Sequence, residues 1–150
     1  MSFVRCLEKG KEAEKVFARY LIDYPNIRSL EFPSWRFKDW DIRMTYGDWK
    51  QATYEIKRDM KAQDTGNFII EYRSNWEASW IYASKADYIV YYIADKWRIQ
   101  SRWELLLRIQ KVEKRECQWW DWNRASLYII KVDKLPELFE LLNLDERQYD

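Results

Sequence analysis

Between about Glu8 and Asp23, the apolar side chains Val16, Phe17, Tyr20 and Leu21 recur at helical spacing, with Lys and Glu elsewhere. That period predicts an amphipathic helix with one face turned to a core. Tyr24-Pro25-Asn26 ends it, because proline pushes the preceding residue out of the helical region. From Trp40 the rhythm changes. Trp40-Asp41-Ile42-Arg43-Met44-Thr45-Tyr46 alternates polar and apolar positions, Gln51 to Lys57 alternates again, and Gly47-Asp48-Trp49 between them reads as a hairpin turn. Asn67 to Tyr72, bounded by Asp64-Thr65-Gly66, predicts a third strand that completes a meander, and Asp87 to Ile93 a fourth strand. Trp103 to Val112 places Leu105, Leu106 and Ile109 on one side of a helix, Leu127 to Val132 predicts a late strand, and Pro136 opens a terminal helix running to about Leu142. The order is helix, three-strand meander, strand, helix, strand, helix. It predicts an α/β fold, a single domain over residues 1–150 with a mixed β-sheet core flanked by helices.

Composition narrows the chemistry. The chain has 150 residues, 47% of them apolar, 34% charged and only three glycines, which suits one folded domain and excludes collagen-like or disordered classes. No apolar stretch approaches the roughly 20 residues of a membrane helix, so no membrane partner is expected. The first residues are charged too early for a signal peptide, and Cys6 and Cys117 alone make no disulfide scaffold, so a cytoplasmic, reducing setting is expected. Histidine is absent, which removes Ser-His-Asp and Cys-His catalysis and histidine-ligated metals. Gly10, Gly47 and Gly66 are too few and too scattered to build a phosphate-cradling loop. Catalysis on this chain must therefore use carboxylates, lysines, hydroxyls or a hard cation such as Mg2+. The net charge of +1 is uneven: residues 133–150 carry Lys134 and Arg147 against six acids, which leaves a mildly basic body that permits a polyanion partner.

Within that body, Asp41, the turn at Gly47 and Glu55-Ile56-Lys57 form a coherent group. On a strand, Glu55 and Lys57 share one face and Ile56 packs on the other. A hairpin centred near Asp48 sets Asp41 opposite Glu55. Two facing carboxylates repel, and one stays protonated unless a cation sits between them, so the pair reads as a Mg2+ site with the Ile56 carbonyl as a further oxygen donor. Lys57 is then placed to orient or deprotonate a water, or to stabilise a phosphorane-like transition state. The alternative is a solvated strand face carrying a cross-strand ion pair.

Asp41, a strand-turn-strand and Glu55-Ile56-Lys57 resemble the PD-(D/E)XK nuclease superfamily, which includes restriction enzymes, Holliday junction resolvases and some homing endonucleases. Gly10-Lys11-Glu12-Ala13-Glu14-Lys15-Val16 is similar to that superfamily's first helix, whose glutamate often completes the metal site, and Glu14 matches it. Thr65 to Tyr72 and Ser84 to Tyr92 are similar to stretches in phage-type members. The resemblance spans about residues 8 to 93, and it departs from the pattern at Trp40, where a proline is expected. It implies a restriction-endonuclease-like fold and a Mg2+-dependent DNA endonuclease of site-specific or homing type, with Mn2+ able to substitute. It further implies Glu14, Asp41 and Glu55 as metal ligands, Lys57 acting on the attacking water, and a homodimer or higher assembly, phage- or mobile-element-encoded. A junction- or flap-specific nuclease, or a non-catalytic nucleic-acid-binding protein of the same fold, are the alternatives.

Two further groups are candidates for DNA contact. Trp119, Trp120 and Trp122 cluster with Lys114, Arg115 and Arg124, and Trp35-Arg36-Phe37-Lys38 has the same character; aromatics interleaved with arginine can stack on bases or pack as a core. Ser84 and Lys85, with Asp87, precede a strand, where they either cap a turn or reach a phosphate at the rim of the site. Glu71 is placed either as a support to Lys57 or as a surface residue.

Overall fold

The structure, a computed structural model, describes residues 3–34, 39–78, 80–119 and 124–144. The opening amphipathic stretch forms α1 (Phe3–Ile22), which starts about five residues earlier than its periodicity shows. Next come β1 (Ile27–Glu31), β2 (Ile42–Tyr46), β3 (Gln51–Arg58), the short α2 (Ala62–Thr65), β4 (Asn67–Ser74), β5 (Glu77–Ala78), β6 (Tyr88–Ile93) and β7 (Lys96–Ser101). The chain continues through α3 (Arg102–Lys111), β8 (Arg115–Trp119), β9 (Ala125–Lys131), α4 (Leu135–Leu138) and β10 (Glu140–Leu142). The expected α/β class with a mixed sheet and flanking helices is what the chain forms.

The strands make two sheets. One has the order β1-β2-β3-β6-β7-β10 and is mixed, because β3 and β6 run parallel while its other neighbours run antiparallel. The other is antiparallel, in the order β5-β4-β9-β8. The expected three-strand meander is therefore corrected. β4 leaves the first sheet and pairs with β9, and β6 takes the place beside β3. The expected terminal helix is also corrected: Pro136 opens a single turn, Phe139 turns extended, and Glu140–Leu142 joins the first sheet as β10.

Alternation along β3 divides the core. Ile56 and its parallel neighbour Val90 face α1, packed with Phe17, Leu21, Ile42, Met44 and Trp97. Phe17 anchors that layer with its ring 5.2 Å from Tyr54 and 6.4 Å from Trp97. On the opposite face, Ile89, Tyr91 and Ile93 meet Phe68, Ile70 and Ile130 of the second sheet and Leu105 and Ile109 of α3. Trp97 joins the α1-facing core, whereas Trp49, Trp76 and Trp103 are exposed. Glu55 and Lys57 belong to the second face, and β3 itself runs between two hydrogen-bonded neighbours. A strand held on both edges is a stiff platform for side chains that must keep a fixed spacing.

Candidate active site

The β2–β3 register pairs Ile42 with Tyr54 and Thr45 with Gln51, so the position opposite Glu55 is Asp41, one residue before β2 begins. Asp41 N–H still donates to the Tyr54 carbonyl at 2.8 Å. Beyond that bond β2 offers nothing to β3, and the Asp41 side chain fills the gap: its Oδ2 accepts the Ile56 N–H at 2.8 Å. A carboxylate thus stands in the plane of the sheet, where a strand would otherwise continue. The N–H and C=O of one strand residue point to the same edge, so the Ile56 carbonyl also faces the Asp41 side.

Two acidic groups on other elements are coupled electrostatically to Asp41 at this gap, Glu14 on α1 and Glu55 on β3. Glu14, on α1, feels both Asp41 and Lys57. Burial, then the Asp41 charge, pushes its carboxyl up to about 7, against the opposing pull of Lys57 and Lys11. Burial also raises Asp41; the Ile56 amide and Lys57 work against that, while Glu55 adds to it. Glu55 itself is buried, with Oε1 3.3 Å from Lys57 Nζ and Oε2 buried without a hydrogen-bond partner. Tyr91, buried on β6 in register with Lys57, has its hydroxyl pushed up by burial and by the charges of Asp59 and Glu55. Acidic groups thus interact with one another and with Lys57 here, and a buried carboxylate oxygen of Glu55 has no hydrogen-bond donor. Among the described residues, however, no three acidic, histidine or cysteine side chains already stand in a metal-holding cluster. The donor set is all oxygen, which suits Mg2+ or Mn2+.

The structure therefore brings Glu14, Asp41, Glu55, Ile56 and Lys57 into one electrostatic neighbourhood. The remaining candidates fall elsewhere. Ser84 is only 3% exposed, and its hydroxyl donates to the Asp39 carbonyl at 3.4 Å and accepts the Ala86 N–H at 3.2 Å. It fastens the chain entering Asp41 and offers no open face to a phosphate. Lys85 is exposed, and its backbone N–H donates to the same Asp39 carbonyl at 3.0 Å, which keeps it beside the entry to the site. Arg115 opens β8 on the second sheet, Trp119 ends that strand, and Arg124 is an exposed residue with φ of 41° just before β9. No described contact joins Arg115 or Arg124 to Asp41. Glu71 lies on β4, in the second sheet, and not beside β3. Trp35, Arg36, Phe37, Lys38, Trp120 and Trp122 lie outside the described residues.

Sequence reasoning missed one positioning group. Asp87 Oδ2 accepts from both Thr53 N–H at 2.9 Å and Thr53 Oγ1 at 3.1 Å, clamping β3 to the start of β6. An aspartate just ahead of a β-rich run is the available signal, and this strand-to-strand clamp differs from the turn cap or rim phosphate contact expected of that segment.

No helix among the described residues is long and apolar enough to cross a membrane. No family model matches the chain, and no curated protein matches it. Among solved structures, the chain is similar to the bacterial homing endonuclease I-Ssp6803I, with a TM-score of 0.45 and 13% identity, over 63% of this chain and 67% of that one.

Proposed function

We propose that this chain is a divalent-metal-dependent DNA endonuclease that hydrolyses phosphodiester bonds. The observation that carries this reading is the Asp41 carboxylate fixed by the Ile56 amide and coupled to both Glu14 and Glu55, with Glu55 Oε2 buried and unpartnered. Glu14, Asp41, Glu55 and the Ile56 carbonyl would hold Mg2+ or Mn2+, and such an ion supplies Lewis-acid stabilisation of charge on phosphate oxygens. Lys57, 38% exposed at its side chain, presents N–H donors at the mouth of the group, where they orient the attacking water and stabilise the developing phosphorane-like charge. Asp41 holds the end of β3 in register, so that Glu55 and Lys57 keep their spacing as substrate arrives. Cutting two strands with so small a domain calls for two copies, hence a homodimer with twofold symmetry.

One observation favours a rival. The Glu55–Lys57 ion pair and the Asp41–Ile56 hydrogen bond already satisfy part of the group internally, as in a non-catalytic nucleic-acid-binding protein. Incubation with duplex, junction, flap and single-stranded DNA, each with Mg2+, with Mn2+ and with chelator, separates the two readings and sorts a site-specific enzyme from a junction- or flap-specific one. The expected result is cleavage that chelator and Asp41→Asn both abolish, together with a rise in melting temperature on adding metal. Binding without cleavage of any substrate, and melting indifferent to metal, would establish the rival.

A further inference from the structure

Lys11, Lys15 and Arg19 follow one another at intervals of four on α1, and all three are exposed. Steps of four keep them within one stripe about 12 Å long on the outer side of the helix, since each residue rises about 1.5 Å. Among the described residues, none of the three has an ion pair or hydrogen bond, so no close partner neutralises their charges. The stripe lines an open groove of about 460 Å³, with Glu14 and Ala18 on the helix side and Phe32, 59% exposed, on the other wall. Lys11 and Lys15 flank Glu14, and Lys11 pulls directly on the Glu14 carboxyl. Glu14 is thus shared between the wall of the groove and the acidic group that includes Asp41.

We infer that this α1 groove is the track for the sugar-phosphate backbone of the DNA strand entering the site, with Lys11, Lys15 and Arg19 neutralising successive phosphates and Phe32 packing against the sugars. This deepens the endonuclease reading and rests on it for the nature of the polyanion. Three cations over about 12 Å match three to four phosphates of one strand, whose axial spacing is about 3.4 Å. The side chains are long, flexible and unbraced, so they supply attraction and register but no fixed geometry for a base edge. The contact is therefore sequence-independent, and sequence selection belongs to other surfaces.

The test is binding of a fluorescent 20-base-pair DNA duplex by anisotropy, from 50 to 200 mM salt, in the presence of Ca2+ to prevent cutting. Each phosphate contact contributes about 0.9 to the slope of log affinity against log salt. Lys11→Ala with Lys15→Ala and Arg19→Ala should lower that slope by about 2 to 3 and weaken binding about a hundredfold at 0.1 M salt. Lys11→Arg with Lys15→Arg and Arg19→Lys should keep the wild-type slope. A control lacking three other cations, Lys50, Lys61 and Lys96, should lose less than about one unit. If the triple alanine variant does not fold, Lys15→Gln alone should lower the slope by about 0.9. An unchanged slope in the stripe variants, an equal loss in the control, or an RNA duplex displacing the DNA tenfold more effectively would each overturn the inference. Wild-type cleavage measured in parallel with Mg2+ keeps the two ideas apart. Cleavage with an unchanged slope sinks the groove alone, a reduced slope without any cleavage sinks the endonuclease alone, and no DNA binding at all sinks both.

Discussion

Replacing Glu14 by Gln tests whether charge is concentrated where the site is assigned. The Glu14 carboxyl is raised from its ordinary 4.5 to about 7, first by burial and then by Asp41. At 1.36 kcal/mol per unit, the full shift is worth about 3 kcal/mol. Glu14 is only partly buried, so solvent screening reduces that to about 1–2 kcal/mol. The folded chain holds this proton more tightly than the unfolded chain does. Stability from Glu14 is therefore intact below about pH 4.5, declines as pH rises toward 7, and is lost above 7. Gln has the same shape and similar helix propensity but never ionises. In chelator at pH 8, Glu14→Gln should melt about 2–8 °C above wild type, using about 2–4 °C per kcal/mol for a chain of this size. At pH 5 most of that gain should vanish. Saturating Mg2+ at pH 8 should raise wild type more than the variant and narrow the gap, because a cation removes the repulsion that Gln removes by other means. Melting followed by circular dichroism at the two pH values decides the matter. A gain at pH 5 as large as at pH 8, or a variant less stable than wild type at both, would refute the assignment of Glu14 to this electrostatic group.

Other expectations follow from single contacts. Asp41→Asn keeps an oxygen for the Ile56 N–H and should fold normally while losing the metal-induced rise in melting temperature, whereas Asp41→Ala leaves that amide unmet and should be about 1–3 kcal/mol less stable than Asp41→Asn in urea titration. Lys57→Ala should slow cleavage by a factor on the order of a hundred in single-turnover assays, yet change DNA affinity less than about tenfold, since one phosphate neighbour carries little of the binding. Ser84→Ala should lower stability by about 1 kcal/mol without altering the salt slope of DNA binding; a lost slope unit would return Ser84 to the phosphate contacts. Phe17→Ala, at a fully buried position, should cost about 3–5 kcal/mol in denaturant unfolding.

The hairpin that carries the proposed site was readable because two signals agreed. Alternation fixed β2 and β3, and Asp41 and Glu55 stand equally far from Asp48, so their opposition followed from counting. The amphipathic phase of α1 puts Glu14 at the border of the buried face, where it is half-buried and feels the Asp41 charge. Sheet membership was not readable. Asn67 to Ser74 has the composition of a strand in either sheet, and only packing against β9 decides between them. The β6–β7 hairpin was hidden for a local reason: Ala94 and Asp95 make its turn at φ of 52° and 61°, without the glycine that usually marks such a turn. Pro136 correctly signalled a helix start, but nothing in the sequence limited that helix to one turn before Phe139. The partners of Ser84 and Asp87 lie 45 and 34 positions away, at Asp39 and Thr53, beyond the reach of any short motif.

The gap at the start of β2 has one more consequence. Ile56 is an interior residue of a strand paired on both edges, yet its N–H is met by a side-chain carboxylate, not by a backbone carbonyl. Its neighbours' amides report the integrity of the sheet; this one reports the charge on Asp41. In a nitrogen–proton correlation spectrum, the Ile56 resonance should move as Asp41 takes up or loses a proton, while those of Tyr54 and Arg58 stay nearly still. A cation drawing electron density from Asp41 should shift the same peak, and a substrate phosphate approaching Glu55 should broaden it. A single backbone amide can thus follow occupancy of the site in the intact protein, with no label on metal or DNA and no turnover required.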